Sequence, residues 1–321
     1  MFGKHRYGPS AAMITGAIAA ASLALAGIFG CSTAGDERNE ATVTQADTDL
    51  RVFVIGVDGA TWRVLDPMIE RGELPTFERL LKNGTRADLA TLKPTLSSII
   101  WTSVATGKAP NKHGIRGFWR EATEGELHAD ESEKAMIEQL RAIGYIGGEG
   151  DVEAGVKKVL YKRSDWKSAA LWDVLSEHGL ESMVIGWWVT YPVQQIDGVM
   201  VSDRYLFNRF ELESKERGHG YGDEQQNVHP AELEPELREL ALSLEDVDAG
   251  RLERFVDGPI ELKDRVTLHD PIDELRMVLA KDASYQKMAK HLLSQRDPDF
   301  FTVYFQGVDI ASHYFWKYLF P

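Results

Sequence analysis

Cysteine is nearly absent from this chain: Cys31 is the single one in 321 residues, so no intrachain disulfide can form and stability must come from an apolar core. Positive charge is also scarce. Thirty-six Lys and Arg face 50 Asp and Glu, a formal net charge of -14. That balance excludes a nucleic acid polymer as partner, because clustered cations must neutralise its phosphates. A small phosphate ester is not excluded, since it needs only one local positive site. Internal repeats are lacking, and the one low-complexity tract is a polar stretch near the N-terminus. What remains is an ordinary globular composition, 43% hydrophobic and 27% charged, long enough for one large domain or two modest ones.

Lys4, His5 and Arg6 precede an uncharged run, Ala11 to Gly30, which I-F-G-C closes at residues 28–31. Residues 1–30 therefore read as a secretory signal. They resemble a bacterial lipoprotein signal, with Cys31 as the lipidated first residue and 31–50 as a polar tether. The alternative is an uncleaved anchor, because about 20 apolar residues span a bilayer. Either way residues 51–321 are expected outside the cytoplasm, in the bacterial cell envelope and tethered to a membrane.

RVFVIGVDG, residues 51–59, is a continuous apolar run ending in Asp-Gly, as expected of a strand buried on both faces of a parallel sheet. Residues 61–84 have helical spacing, with Pro75 suited to a first turn and Gly84 to a stop. TRADLATL, 85–92, reads as a second, shorter strand, and SSIIWTSVATG as a helix that begins at Ser97 and is closed by Gly107. From 120 to 165 the texture turns acidic and glycine-rich around one amphipathic helix near 133–143, an expected insertion or cap over the sheet edge. Residues 166–180 read as a helix, and 181–192 and 198–204 as strands. A second charged insertion, 206–271, contains a helix starting at Pro230. A long helix, 272–295, then leads into DPDFFTVYFQGVD, another buried strand ending in aspartate. Strands alternating with helices predict an α/β fold with a mostly parallel central sheet and helices on both faces.

In such sheets ligands bind beyond the carboxyl ends of the strands. Asp58 closes the first strand and Asp309 the last, so both carboxylates are expected at one edge. His313 follows Asp309 by four residues, one helical turn, so both can face one ion. Carboxylate with imidazole suits zinc, and manganese or iron also accept it. Ser97 opens a helix whose N-terminal amides and dipole favour an anion. Its alcohol needs a base or a metal to ionise, and no Gly-x-Ser-x-Gly elbow surrounds it, so metal activation is the better reading. Each residue also has a structural reading: Asp58 and Ser97 as helix caps, Asp309 with His313 as a surface pair. His113 reads as turn-forming, His219 and His229 as solvated, and Trp187 with Trp188 as core and pocket wall.

Taken together, V-I-G-V-D-G at 54–59, P-T-x-S at 94–97, W-T-S-x-x-T-G-x-x-P-x-x-H-G-I at 101–115 and G-V-D-x-x-x-H at 307–313 resemble the alkaline phosphatase superfamily. The branch they are most similar to is the type I phosphodiesterase/nucleotide pyrophosphatase family. The resemblance implies a phosphoester hydrolase with two divalent metal ions, taken as zinc, acting on a small phosphoester. Asp58 and Ser97 match ligands of one ion, with Ser97 also the nucleophile that forms a phosphoseryl intermediate. Asp309 and His313 match ligands of the other. GWWVTYP, 186–192, is similar to a segment near the substrate site, which makes Trp188 and Thr190 candidate substrate contacts.

Two departures from the pattern stand out. Family members carry a later Asp-His pair, often within S-D-H-G, and one further His, whereas this sequence reaches Pro321 without them. Ser202-Asp203-Arg204 has no histidine and precedes Asp309. The sequence is therefore expected to be the N-terminal part of a longer enzyme, with both ligand sets incomplete. The asparagine that nucleotide pyrophosphatases place after their HGI turn is also missing, and Arg116 is the candidate phosphate contact in its place. Two alternatives stay open: an inactive membrane-tethered fragment that binds phosphate or metal weakly, and a phosphomonoesterase. The C/S-x-P-x-R frame of the sulfatase branch is not present at Ser97, where the chain reads S-S-I-I-W, which argues against that chemistry. Nothing in the sequence indicates an oligomeric state.

Overall fold

Residues 50–123, 158–206, 226–262 and 270–319 are described in the computed structural model of this protein. The expected signal, Cys31 and the tether up to Asp49 lie outside the described residues, as does the expected helix near 133–143. No described helix is long and apolar enough to cross a membrane.

The chain begins with β1 (Val52–Val57), α1 (Trp62–Glu70), α2 (Pro75–Asn83), α3 (Ser97–Thr106) and α4 (Pro110–His113). A small antiparallel pair, β2 (Trp119–Glu121) and β3 (Lys158–Leu160), joins the two ends of the first expected insertion. Then come α5 (Leu171–Glu177), β4 (Ser182–Trp187), β5 (Gly198–Ser202) and β6 (Val228–His229). The last elements are α6 (Glu234–Leu240), α7 (Ala249–Leu252), α8 (Pro271–Gln295), β7 (Phe300–Phe305) and α9 (Gly307–Leu319).

The main sheet has the order β1-β7-β4-β5-β6, parallel except for the β5–β6 pair, so the expected α/β class with a mostly parallel sheet is observed. The last strand in sequence is inserted beside the first. Its register pairs Val57 with Phe305, so Asp58 and Gln306 leave the sheet side by side at its carboxyl edge. β4 and β5 are solidly buried, and α8 packs on β4 and β7 through a stripe of Leu275, Val278, Tyr285, Ala289 and Leu292. Those residues are spaced by three, seven, four and three, which keeps one helix face on the sheet.

Four expectations need correction. β1 is not buried on both faces: it is an edge strand, bonded only to β7 among the described residues, and Phe53 and Ile55 are 52% and 63% exposed. Residues 85–92 form no strand, because no neighbouring strand offers them a ladder, and Leu89 is 86% exposed. The helix expected at Pro230 opens instead as a 3-10 turn, and α6 starts at Glu234. The segment around it adds β6 to the main sheet and buries Leu237, Val247 and Leu252 in the core. His229 is not a solvated loop residue but stands half-buried in β6 with its Nε2 3.1 Å from the Ile196 carbonyl oxygen, and His219 lies outside the described residues.

Candidate active site

The turn after β1 and the turn after β7 touch backbone to backbone. Asp58 N–H donates to the Phe305 carbonyl at 2.9 Å. Gly59 has φ +70°, and a Cβ there would lie 2.6 Å from Asp309 Cα, so only glycine lets the two turns approach this closely. Asp309 stands in the first turn of α9 and His313 one turn later, with His313 Nε2 3.7 Å from Asp309 Oδ2. Burial pushes the His313 imidazole below its ordinary pKa, while the nearby Asp58 charge pulls it back up. The net direction favours the neutral ring, whose lone pair a metal needs. The structure thus gathers Asp58, Asp309 and His313 at one edge.

Asp58 is held from the adjacent strand. Tyr304 O–H donates to Asp58 Oδ2 at 2.5 Å, and Trp188 Nε1–H donates to the same Tyr304 oxygen at 2.6 Å. Gly59 N–H donates to Asp58 Oδ1 at 3.1 Å. The Tyr304 ring is boxed by Trp101 at 5.0 Å, Trp188 at 6.2 Å and Trp187 at 6.3 Å, all close to edge-on. Edge contacts of this kind fix a ring more tightly than burial alone.

Ser97 is the first residue of α3 and is buried. Trp101 lies one turn on and so shares its face. Trp101 packs on Tyr304 and closes over Gly56, where a Cβ would come within 2.9 Å of the indole. That contact seats the α3 face bearing Ser97 against the β1 and β7 strands. No side chain caps the helix start, and its first turn carries no acid. Ser98 Oγ–H donates to the Gly117 carbonyl at 2.7 Å and ties the HGI turn to α3. Arg116, exposed and with no resolved partner among the described residues, adjoins that tie. His113 is structural, as expected: Ile115 N–H donates to Nδ1 at 3.1 Å, so the proton sits on Nε2, which donates to Ser103 Oγ at 2.9 Å.

Trp188 and Thr190 lie beneath this edge, with their polar groups engaged inside the protein. Thr190 Oγ1–H donates to the Trp187 carbonyl at 2.6 Å. The loop is organised by buried Asp203, whose carboxylate accepts the amides of Val189, Thr190 and Tyr191 at 3.0–3.1 Å and holds Val189 at φ 59°. Asp203 and Tyr304 are the residues that sequence reasoning missed. Asp203 had a signal, since it closes β5 as Asp58 closes β1. Tyr304 had none, because a tyrosine inside an apolar strand reads as core.

Two carboxylates and a neutral imidazole are donors that zinc accepts. Among the described residues, however, no group of three or more His, Cys, Asp or Glu is arranged to hold an ion. Asp58 is oriented by the two donors that its oxygens face. The residues fit a metal in kind, and further ligands are needed to complete its shell.

The family model described as type I phosphodiesterase/nucleotide pyrophosphatase matches residues 52–318. Two solved structures of phosphonoacetate hydrolase from Sinorhizobium meliloti 1021, one in complex with phosphonoformate and one with phosphonoacetate, are each 16% identical with a TM-score of 0.38. Each match covers 84% of this chain and 52% of the other, so the chain spans about half the length of the solved structures it matches. No curated protein sequence matches the chain.

Proposed function

Given that this chain belongs to the type I phosphodiesterase/nucleotide pyrophosphatase family, we propose that it is a metal-dependent phosphoester hydrolase whose nucleophile is Ser97. The observation that carries the reading is the meeting of Asp58, Asp309 and His313 at the edge where Trp101 seats the Ser97 helix. Ser97 Oγ attacks phosphorus, the bond to the ester oxygen breaks, and the leaving alcohol takes up a proton. Water then cleaves the phosphoseryl group and restores the serine. The α3 N-terminus, free of acidic side chains, favours the charge that builds on the phosphoryl oxygens. Arg116, tied to that helix through Gly117, supplies the local positive site. Trp188 and Thr190 form the floor under the substrate.

Asp58 and Ser97 would hold one divalent ion, and Asp309 with His313 the other. When bound, such ions make the alcohol and the water better nucleophiles and offset phosphate charge. Zinc is the proposed metal. The chain is proposed to be exported and anchored at the cell envelope through lipidated Cys31, and its substrate is a small diester. The ester class is tested by comparing hydrolysis of bis-p-nitrophenyl phosphate with that of p-nitrophenyl phosphate. Diester turnover is expected to dominate, and preference for the monoester overturns the diester assignment.

A second reading, favoured by the absence of a closed ligand group among the described residues, is a membrane-tethered protein that binds metal or phosphate without turnover. Zinc bound without hydrolysis of either ester would decide for it.

A further inference from the structure

Asp282 occupies a position where the pattern of α8 calls for an apolar residue, in line with Leu275, Val278, Tyr285 and Ala289. Its carboxylate is turned onto the turn between β7 and α9. Oδ1 accepts from Gln306 N–H at 3.2 Å and Oδ2 from Gly307 N–H at 2.8 Å. The next residue back, Lys281, donates from Nζ to Gln306 Oε1 at 3.1 Å, so two successive residues of α8 grip the same turn. The turn is shaped for that grip: a Cβ on Gly307 would lie 2.5 Å from Asp282 Oδ2.

The amides so held are the first of α9, where a helix leaves donors unpaired and favours a negative charge. Ile310 N–H then closes the first turn on the Gln306 carbonyl at 3.2 Å. Asp309 follows Gly307 by two residues, and its backbone abuts Gly59, the neighbour of Asp58. A continuous line of contacts therefore runs from Asp282 through Gly307 and Asp309 to Asp58. An acid in an apolar stripe is costly to bury, and burial pushes the Asp282 carboxyl up to about 6. A residue kept for packing alone would be apolar here.

We propose that Asp282 is a positioning residue: through the Gln306 and Gly307 amides it fixes the start of α9 and so sets Asp309 and His313 against Asp58. The inference rests on the metal-dependent reading of that edge, and its test separates the two. The probes are Zn2+ alone, titrated against a chromophoric chelator, and amide exchange across residues 306–313, on the full chain as wild type, Asp282→Asn and Gly307→Ala. Asp282→Asn keeps the shape and removes one acceptor and the charge. Gly307→Ala displaces the carboxylate by a different route and serves if the first variant folds poorly.

Both variants are expected to bind Zn2+ about tenfold more weakly, the size seen when groups that orient a ligand are lost. Exchange is expected to quicken in the first turn of α9 and not in α8 or the sheet, and kcat on bis-p-nitrophenyl phosphate to fall at unchanged KM. Wild-type exchange and zinc affinity in both variants overturn the proposal, as does exchange quickened throughout the domain. If wild type neither binds zinc nor hydrolyses the ester, the catalytic reading fails. The exchange of α9 then decides the clamp alone: local quickening supports it, and unchanged exchange overturns it.

Discussion

The Tyr304 hydroxyl stands 2.5 Å from Asp58 Oδ2, so the orientation of a candidate metal ligand at the end of β1 is set by a side chain of β7. The same hydroxyl accepts from Trp188, which leaves it a single direction in which to donate. Tyr304→Phe should free the Asp58 carboxylate and strand the buried Trp188 N–H. We expect a loss of about 1–3 kcal/mol in denaturant unfolding. Zinc should bind at least about tenfold more weakly. Unfolding and zinc titration curves that superpose on wild type would contradict the relay.

Two glycines separate crowding from backbone strain. Gly59 and Gly72 have φ +70° and +74°, yet a Cβ on Gly59 meets Asp309 Cα at 2.6 Å while one on Gly72 meets nothing within 4 Å. Gly72→Ala should cost only the left-handed conformation, about 1 kcal/mol. Gly59→Ala should cost clearly more and weaken zinc binding too, because it pushes Asp309 from Asp58. Equal midpoints for the two variants would show that the turns do not press on each other.

His113 should make stability depend on pH. Burial lowers its pKa in the folded chain, so the unfolded chain binds the proton more readily. Its contribution is present above the ordinary value of about 6.5 and is lost as pH falls below it. Removing it also strands the Ile115 amide, so His113→Ala should cost about 1–3 kcal/mol at pH 8. That difference should shrink at pH 5. A cost independent of pH would mean that His113 takes up its proton equally readily in the folded and the unfolded chain.

The sequence revealed the parallel sheet because apolar runs alternated with helical spacing and Asp58 closed the first run. Asp309, expected to close the last strand, stands instead in the first turn of α9, four residues past the end of β7. Helix 272–295 was legible as one long element, and the helix that opens at Ser97 from the apolar run that follows it. What could not be read depends on which strands are neighbours. The apolar run of β1 looks the same in an edge strand as in a central one. Residues 85–92 read as a short strand yet have no ladder to join among the described residues. The grip of Tyr304 on Asp58 spans 246 residues, and only the β1–β7 pairing brings them together. Asp282 did leave a mark, an acid at an apolar position of α8, but its purpose lies in a turn 24 residues away.

The central claim is that Ser97 performs metal-dependent phosphoester hydrolysis. It is tested most directly by assaying the purified chain on bis-p-nitrophenyl phosphate with zinc, as wild type and as Ser97→Ala. The wild type should turn over, lose activity to a chelator and regain it with zinc, and the variant should fall by more than about 10^3-fold while staying folded. Turnover that survives in Ser97→Ala, or a zinc-loaded wild type with no turnover at all, would contradict the account.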